Sequence, residues 1–266
     1  MKRLAAIIAL CFAAAPAVGH EFWIEPVQAK VAAGAPIKAL TYVGSEFEGD
    51  ELPNFPSMQR VVDVTLGDMT VPIGGPELQK PALQTPSLGD GLHVLRYQSR
   101  DYQLSYESYD KFLAFLDEAQ RPELAAEHDA RGLPRDGIRE VYFRYAKSLV
   151  AVGSGAGSDR FMGMPFELVA LTNPYTQALG DMQFELRFLE EPLPDAALHV
   201  FHRAPDGTID NIRLRSDATG VVTVPSANPG FYMVNAIQIL PSSPRMQNLL
   251  GASWQSLWAS LTYAVE

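Results

Sequence analysis

Between residues 27 and 99, the chain reads as short apolar or alternating runs broken by proline and glycine: Ile37 to Val43, Val61 to Leu66, Val71 to Ile73 and Leu92 to Tyr97. A period of two in runs of this length predicts antiparallel β-strands. The period then changes. Tyr109, Phe112, Leu113 and Leu116 fall at i, i+3, i+4 and i+7, and Ile138, Val141, Tyr142, Tyr145 and Leu149 repeat that spacing. Two amphipathic helices are therefore predicted, joined by a polar, turn-rich stretch from Arg121 to Gly137. Ser154 to Asp159 reads as a flexible link or exposed loop. Strands return beyond it: Phe184, Leu186 and Phe188 alternate with Glu185 and Arg187, followed by Ala197 to Phe201, Ile209 to Leu214, Val221 to Val224 and Phe231 to Leu240. The expected architecture is mainly β: two antiparallel β-sandwiches of the Ig-like or prealbumin-like kind, over residues 20–100 and 154–266, with a two-helix insertion at 101–153 between them.

The first nineteen residues read as an export signal. Lys2 and Arg3 precede an apolar run from Leu4 to Ala15, and Ala17-Val18-Gly19 places small residues where a signal peptidase acts. The run is too short to span a bilayer, and no later stretch reaches that length. Cleavage after Gly19 removes the single cysteine, Cys11, so thiolate metal sites, disulfides and cysteine nucleophiles are excluded from the remainder. The expected location is the periplasm.

Of the 266 residues, 47% are hydrophobic and 20% charged, with a net charge of -10, which describes a foldable globular chain and argues against a nucleic-acid partner. Cations, sugars and proteins remain as partners. Cleavage after Gly19 would make His20 the first residue, whose amine and Nδ1 together chelate one metal ion; nitrogen donors of this kind favour Cu, Ni, Co or Zn over Mg or Ca. The second candidate ligand is His93, which shares one face of a predicted strand with Leu95 and Tyr97.

The remaining histidines are read differently. His199 and His202, three apart in a predicted strand, point to opposite faces, and His128 in the polar connection is expected to be solvated. The Glu46, Glu48, Asp50, Glu51 cluster lacks calcium-loop spacing and reads as a solvated acidic loop. Trp254 and Trp258 are expected to pack in the core. No nucleophile elbow, zinc helix or phosphate loop is present in the sequence, and the chain is expected not to be an enzyme.

Four stretches carry a resemblance: His20-Glu21-Phe22-Trp23-Ile24-Glu25-Pro26, Gly91 to Tyr97, Arg144 to Val150, and Trp254 to Tyr263. Together they resemble the periplasmic component family associated with cobalt and nickel uptake, long catalogued as a domain of unknown function. The resemblance implies an exported, mostly β protein that binds a divalent transition metal (Ni, Co or Cu) through His20 and His93 and serves membrane or outer-membrane uptake transporter components. One departure stands out: where the family's pattern places Ala-x-His late in the chain, this sequence has Ala236-Ile237-Gln238. Two alternatives follow, an envelope interaction module without metal and an accessory to iron-siderophore uptake.

Overall fold

The computed structural model describes residues 20–177 and 180–266; the proposed export signal and Cys11 lie outside the described residues. The first half contains β1 (Glu21–Pro26), β2 (Lys30–Val31), β3 (Ile37–Ser45), β4 (Glu48–Leu52), β5 (Gln59–Leu66), β6 (Met69–Pro72), β7 (Leu83–Thr85), β8 (Gly91–Ser99) and β9 (Tyr102–Ser105). Helices α1 (Tyr109–Glu118) and α2 (Leu124–Ala130) follow, then β10 (Arg139–Val152). The second half contains β11 (Phe166–Ala170), β12 (Met182–Phe188), β13 (Glu191–Pro192), β14 (Ala197–Arg203), β15 (Ile209–Arg215), β16 (Val221–Val224), β17 (Gly230–Pro241), α3 (Pro244–Leu250) and β18 (Trp254–Val265). The protein is mainly β, and no helix among the described residues is long and apolar enough to cross a membrane.

Both sandwiches are built on one shared sheet. Ten strands form it, with β15, β14, β17, β18, β10, β8, β5 and β6 in spatial order and β2 and β9 paired to β10. The sheet is antiparallel except along β10, which runs parallel to β18 (Glu140 to Ser148 against Trp254 to Thr262) and to β2. On one face, Leu95, Tyr97, Ala146, Val150 and Val152 pack against Ile24, Ile37 and Ala39 of the four-stranded sheet of β1, β3, β4 and β7. On the other, Tyr145, Leu149, Leu257 and Leu261 pack against Leu168, Phe184 and Leu186 of the sheet of β11, β12, β13 and β16. Neighbouring residues of β10 thus enter different cores, as the alternation of a strand requires.

This arrangement corrects the helix expected over Ile138 to Leu149, which is instead the central strand β10. A strand covered on both faces loses the two-residue alternation, because inward and outward positions are both buried. Arg144, Lys147 and Ser148 mimic the polar stripe of a helix in sequence, yet all three are buried in the sheet. The second helix of the insertion lies earlier, at α2, inside the stretch read as turn-rich.

Helix α1 starts at Ser108, whose Oγ accepts from the Lys111 N–H, and it buries Phe112, Phe115 and Leu116 against Trp254 and Trp258 of β18. His128 corrects the expectation of a solvated ring. It is fully buried, accepting from Trp254 Nε1 at 3.0 Å and contacting the Pro134 carbonyl at 3.1 Å through Nε2. The amphipathic period of α1 recruits this ring into an aromatic core that includes Tyr109 and Phe112.

Residues 154 to 159 form a mostly exposed loop, one of the two forms expected, and it is tied down by hydrogen bonds. Asn173 Nδ2 donates to the carbonyls of Gly155 and Gly157 at 2.8 and 2.9 Å, and the Leu92 N–H donates to Ala156 O. Gly155 has φ 63° and sits where a Cβ would meet the Cβ of Ala151 at 2.8 Å, so both its backbone and its surroundings require glycine.

Candidate functional site

An apolar cavity of about 530 Å³ lies on the face of the central sheet shared by the first sandwich and the helices. Glu140, Tyr142 and Arg144 project into it from alternate positions of β10. Tyr102 of β9 pairs with Tyr142 across the strands and stacks on it at 5.0 Å. Val43, Leu52, Phe55 and Met58 close the side toward the first sandwich, with Trp258 buried in the wall and His20 on the rim.

The cavity opens where the ladder of β10 is interrupted. Along that edge β10 pairs with β9 through Tyr142 and with β8 only from Leu149 onward. In the gap, the backbone N–H of Arg144 is taken by the side chain of Ser99 at 2.9 Å. Arg144 is only 7% exposed, and its guanidinium carbon lies 5.0 Å from the Tyr102 ring, 5.3 Å from Tyr142 and 5.5 Å from Phe22. No carboxylate among the described residues pairs with it, and its buried Nε has no hydrogen-bond partner among them. A guanidinium held by aromatic faces with its donors unspent is prepared for an anion.

Glu140 does not neutralise it. Its carboxylate accepts from the hydroxyls of Tyr106 and Ser256, and Trp258 Nε1 donates to the same Ser256 hydroxyl at 2.8 Å. Burial lifts the carboxyl to about 7, against the opposing effect of those two hydrogen bonds. Around neutral pH this acid is therefore divided between its protonated and ionised forms, and it offsets only part of the positive charge of Arg144.

His20 Nδ1 lies 3.3 Å from Ser45 Oγ. Partial burial, then Arg144, lowers its pKa, with Asp50 acting the other way, which favours the neutral ring. His93 is elsewhere. It pairs with Val150 on β10, six residues beyond Arg144, about 20 Å at 3.3 Å per residue. Its Nε2 accepts from the Leu88 N–H at 2.9 Å, which leaves Nδ1 to donate to Gly91 O at 3.1 Å. Both ring nitrogens are thus occupied by backbone, and the structure does not bring His20 and His93 together.

Among the described residues, no three His, Cys, Asp or Glu side chains are grouped as a metal ion requires. Gln238 accepts from Arg121 Nη1 at 3.3 Å. His199 and His202 diverge as expected: His202 stacks on Tyr232 at 4.4 Å, whereas His199 faces a second, polar cavity. In the acidic stretch, Glu46 and Phe47 form the left-handed tip of the β3–β4 hairpin, and Phe47 buries its ring against Trp23 and Phe231. The residues missed in the sequence are Glu140, Tyr142 and Arg144. Reading residues 139–152 as a strand would have shown them on one face.

The fold and site describe a mainly β protein with a largely apolar cavity lined by Arg144 and Glu140. The chain belongs to the family catalogued as a domain of unknown function, DUF4198, whose model matches residues 17–239. No curated protein matches it. Among solved structures, it is similar to a tetra-tandem repeat in the extending region of a large adhesion protein, at 12% identity and a TM-score of 0.23, covering 93% of this chain and 50% of that one. It is also similar to the D0-D1 domain of Intimin, at 11% identity and a TM-score of 0.21, covering 92% of this chain and 98% of that one. The chain spans half the length of the adhesion repeat it matches. Superpositions this loose carry no argument about function.

Proposed function

We propose that the protein binds a small amphipathic carboxylate, with the carboxylate on Arg144 and the apolar body against Val43, Leu52, Phe55, Met58 and Trp258. The observation that carries this reading is the guanidinium of Arg144, 7% exposed, in no salt bridge among the described residues and with its buried Nε unpartnered, in a largely apolar cavity. The volume of about 530 Å³ lies within the range of small-molecule sites. The chemistry is binding, and the arrangement calls for no bond-making group. Trp258, buried in the cavity wall, supplies a fluorescent reporter. Titrating octanoate, decanoate and indole-3-acetate against the corresponding alcohols should show saturable quenching by the acids. Arg144→Met should weaken the acids about ten- to a hundredfold, the loss of one charge-assisted interaction, and leave the alcohols unchanged. Equal binding of acids and alcohols by the wild type would overturn the reading.

A second reading keeps a transition metal at His20 and, with it, a role in delivering Ni, Co or Cu to an uptake system in the periplasm. It is favoured by the half-buried imidazole at the rim, whose surroundings favour the neutral ring. Its test is calorimetric titration of Ni, Co, Cu and Zn into protein beginning at His20 and into the same protein with one extra N-terminal Gly. Tight binding that the added Gly weakens about tenfold, 1.4 kcal/mol, supports a chelate at the amine; binding indifferent to the Gly overturns it.

A further inference from the structure

His20 and Glu21 are neighbours that line different cavities. His20 borders the Arg144 cavity, while Glu21 enters a second one of about 240 Å³, bounded by the β3–β4 hairpin tip, the C-terminal end of α1 and strands β14 and β15. Glu21 is 2% exposed, and its Oε2 has no hydrogen-bond partner among the described residues. Across the cavity, the buried Nε2 of His199 is likewise without a partner. Glu118 and Glu46 add two more carboxylates. The opposing charge is Arg213, which pairs with His199 across β14 and β15 yet forms no salt bridge with any of the three among the described residues. Glu46 is partly engaged, accepting from Asn211 Nδ2 at 2.8 Å.

A carboxylate oxygen is an acceptor, and so is the Nε2 of a neutral imidazole that carries its proton on Nδ1, so in that tautomer both unpartnered atoms take donors. A primary ammonium carries three donors and no acceptor, and its positive charge favours the ionised forms of Glu21 and Glu118, whose carboxyls burial lifts to about 7. A metal ion is the poorer match, because no three ligating side chains are grouped for one among the described residues. We propose that this second cavity is a binding site for a small organic ammonium, held by Glu21 and His199 with Glu118 closing the open side. The site is separate from the Arg144 cavity and stands or falls independently of it.

The test is calorimetric titration of n-butylamine and 1,4-diaminobutane, with n-butanol and the chlorides of Mn, Ni and Zn as comparison ligands. The expected result is saturable binding of the amines without binding of the alcohol, weakened about tenfold, 1.4 kcal/mol, by Glu21→Gln. Because Glu21 is buried, Glu118→Gln at the half-exposed end of α1 serves as a second variant and should weaken the amines about threefold or more, with thermal melting reporting whether each variant is folded. Absence of amine binding up to about 10 mM, amine affinity untouched by either folded variant, or binding of the metal ions in place of the amines would overturn the proposal.

Discussion

Lys147 Nζ lies 2.7 Å from Asp159 Oδ2, and both side chains are sealed from solvent. The same ammonium reaches Glu167 Oε1 at 3.0 Å and the Arg160 carbonyl at 3.1 Å. Glu167 in turn accepts from the N–H groups of Met162 and Met164, and Asp159 from those of Arg160 and Ala170. This closed network fastens the segment between β10 and β11 onto the central sheet. Lys147→Met leaves two buried carboxylates without their cation and should cost about 3–5 kcal/mol. Urea unfolding of the variant against the wild type measures it, and a loss below about 1 kcal/mol would mean that solvent reaches the network.

Glu140 makes stability depend on pH. Its carboxyl titrates at about 7 in the folded protein against 4.5 as its ordinary value, so between those pH values the native state holds a proton that the unfolded state has released. Stability from this group is present in full below about pH 4.5 and is lost as pH rises through 7. Relative to Glu140→Gln, the wild type should lose on the order of 3 kcal/mol across that window. Glu21 and Glu118, also raised to about 7 by burial, contribute a slope common to both proteins, so the difference between the two melting curves isolates Glu140.

His93 is expected to act on stability alone. His93→Leu removes the acceptor of the Leu88 N–H and the donor to Gly91 O, which should cost about 1–3 kcal/mol in chemical denaturation. Metal titrations on the folded variant should match those of the wild type. A loss of metal affinity would instead return His93 to the set of ligands.

His128→Leu conserves an apolar shape but strands the indole N–H of Trp254 in the aromatic core. The expected destabilisation is about 1–3 kcal/mol, read by thermal melting and by a change in near-ultraviolet circular dichroism from the Trp254 environment.

Much of the β-architecture was legible in residue order. Strands with one covered face kept their alternation: Phe184, Leu186 and Phe188 in β12, and Val221 to Val224 in β16, stand where the pattern predicts. The period of α1 was equally plain, since one side of that helix meets the core and the other meets solvent. β10 was not legible, because sheets on both faces erase its period. The candidate site was hidden with it: Arg144 and Tyr142 read as positions on a helix until the strand places them on one face with Glu140.

What the sequence by itself determined is therefore local: the mainly β composition, the first helix and the divergence of His199 from His202. These depend on spacing of a few residues. Tertiary structure alone decided which buried polar groups are satisfied. His93 and His128 are satisfied within the core, and Lys147 is held by carboxylates 12 and 20 residues further along the chain. The Nε of Arg144 and the Oε2 of Glu21 are left without hydrogen-bond partners among the described residues. The physical reason is that a side chain's hydrogen-bond partners come from strands distant in sequence, and whether they arrive depends on the packing of three layers around one shared sheet.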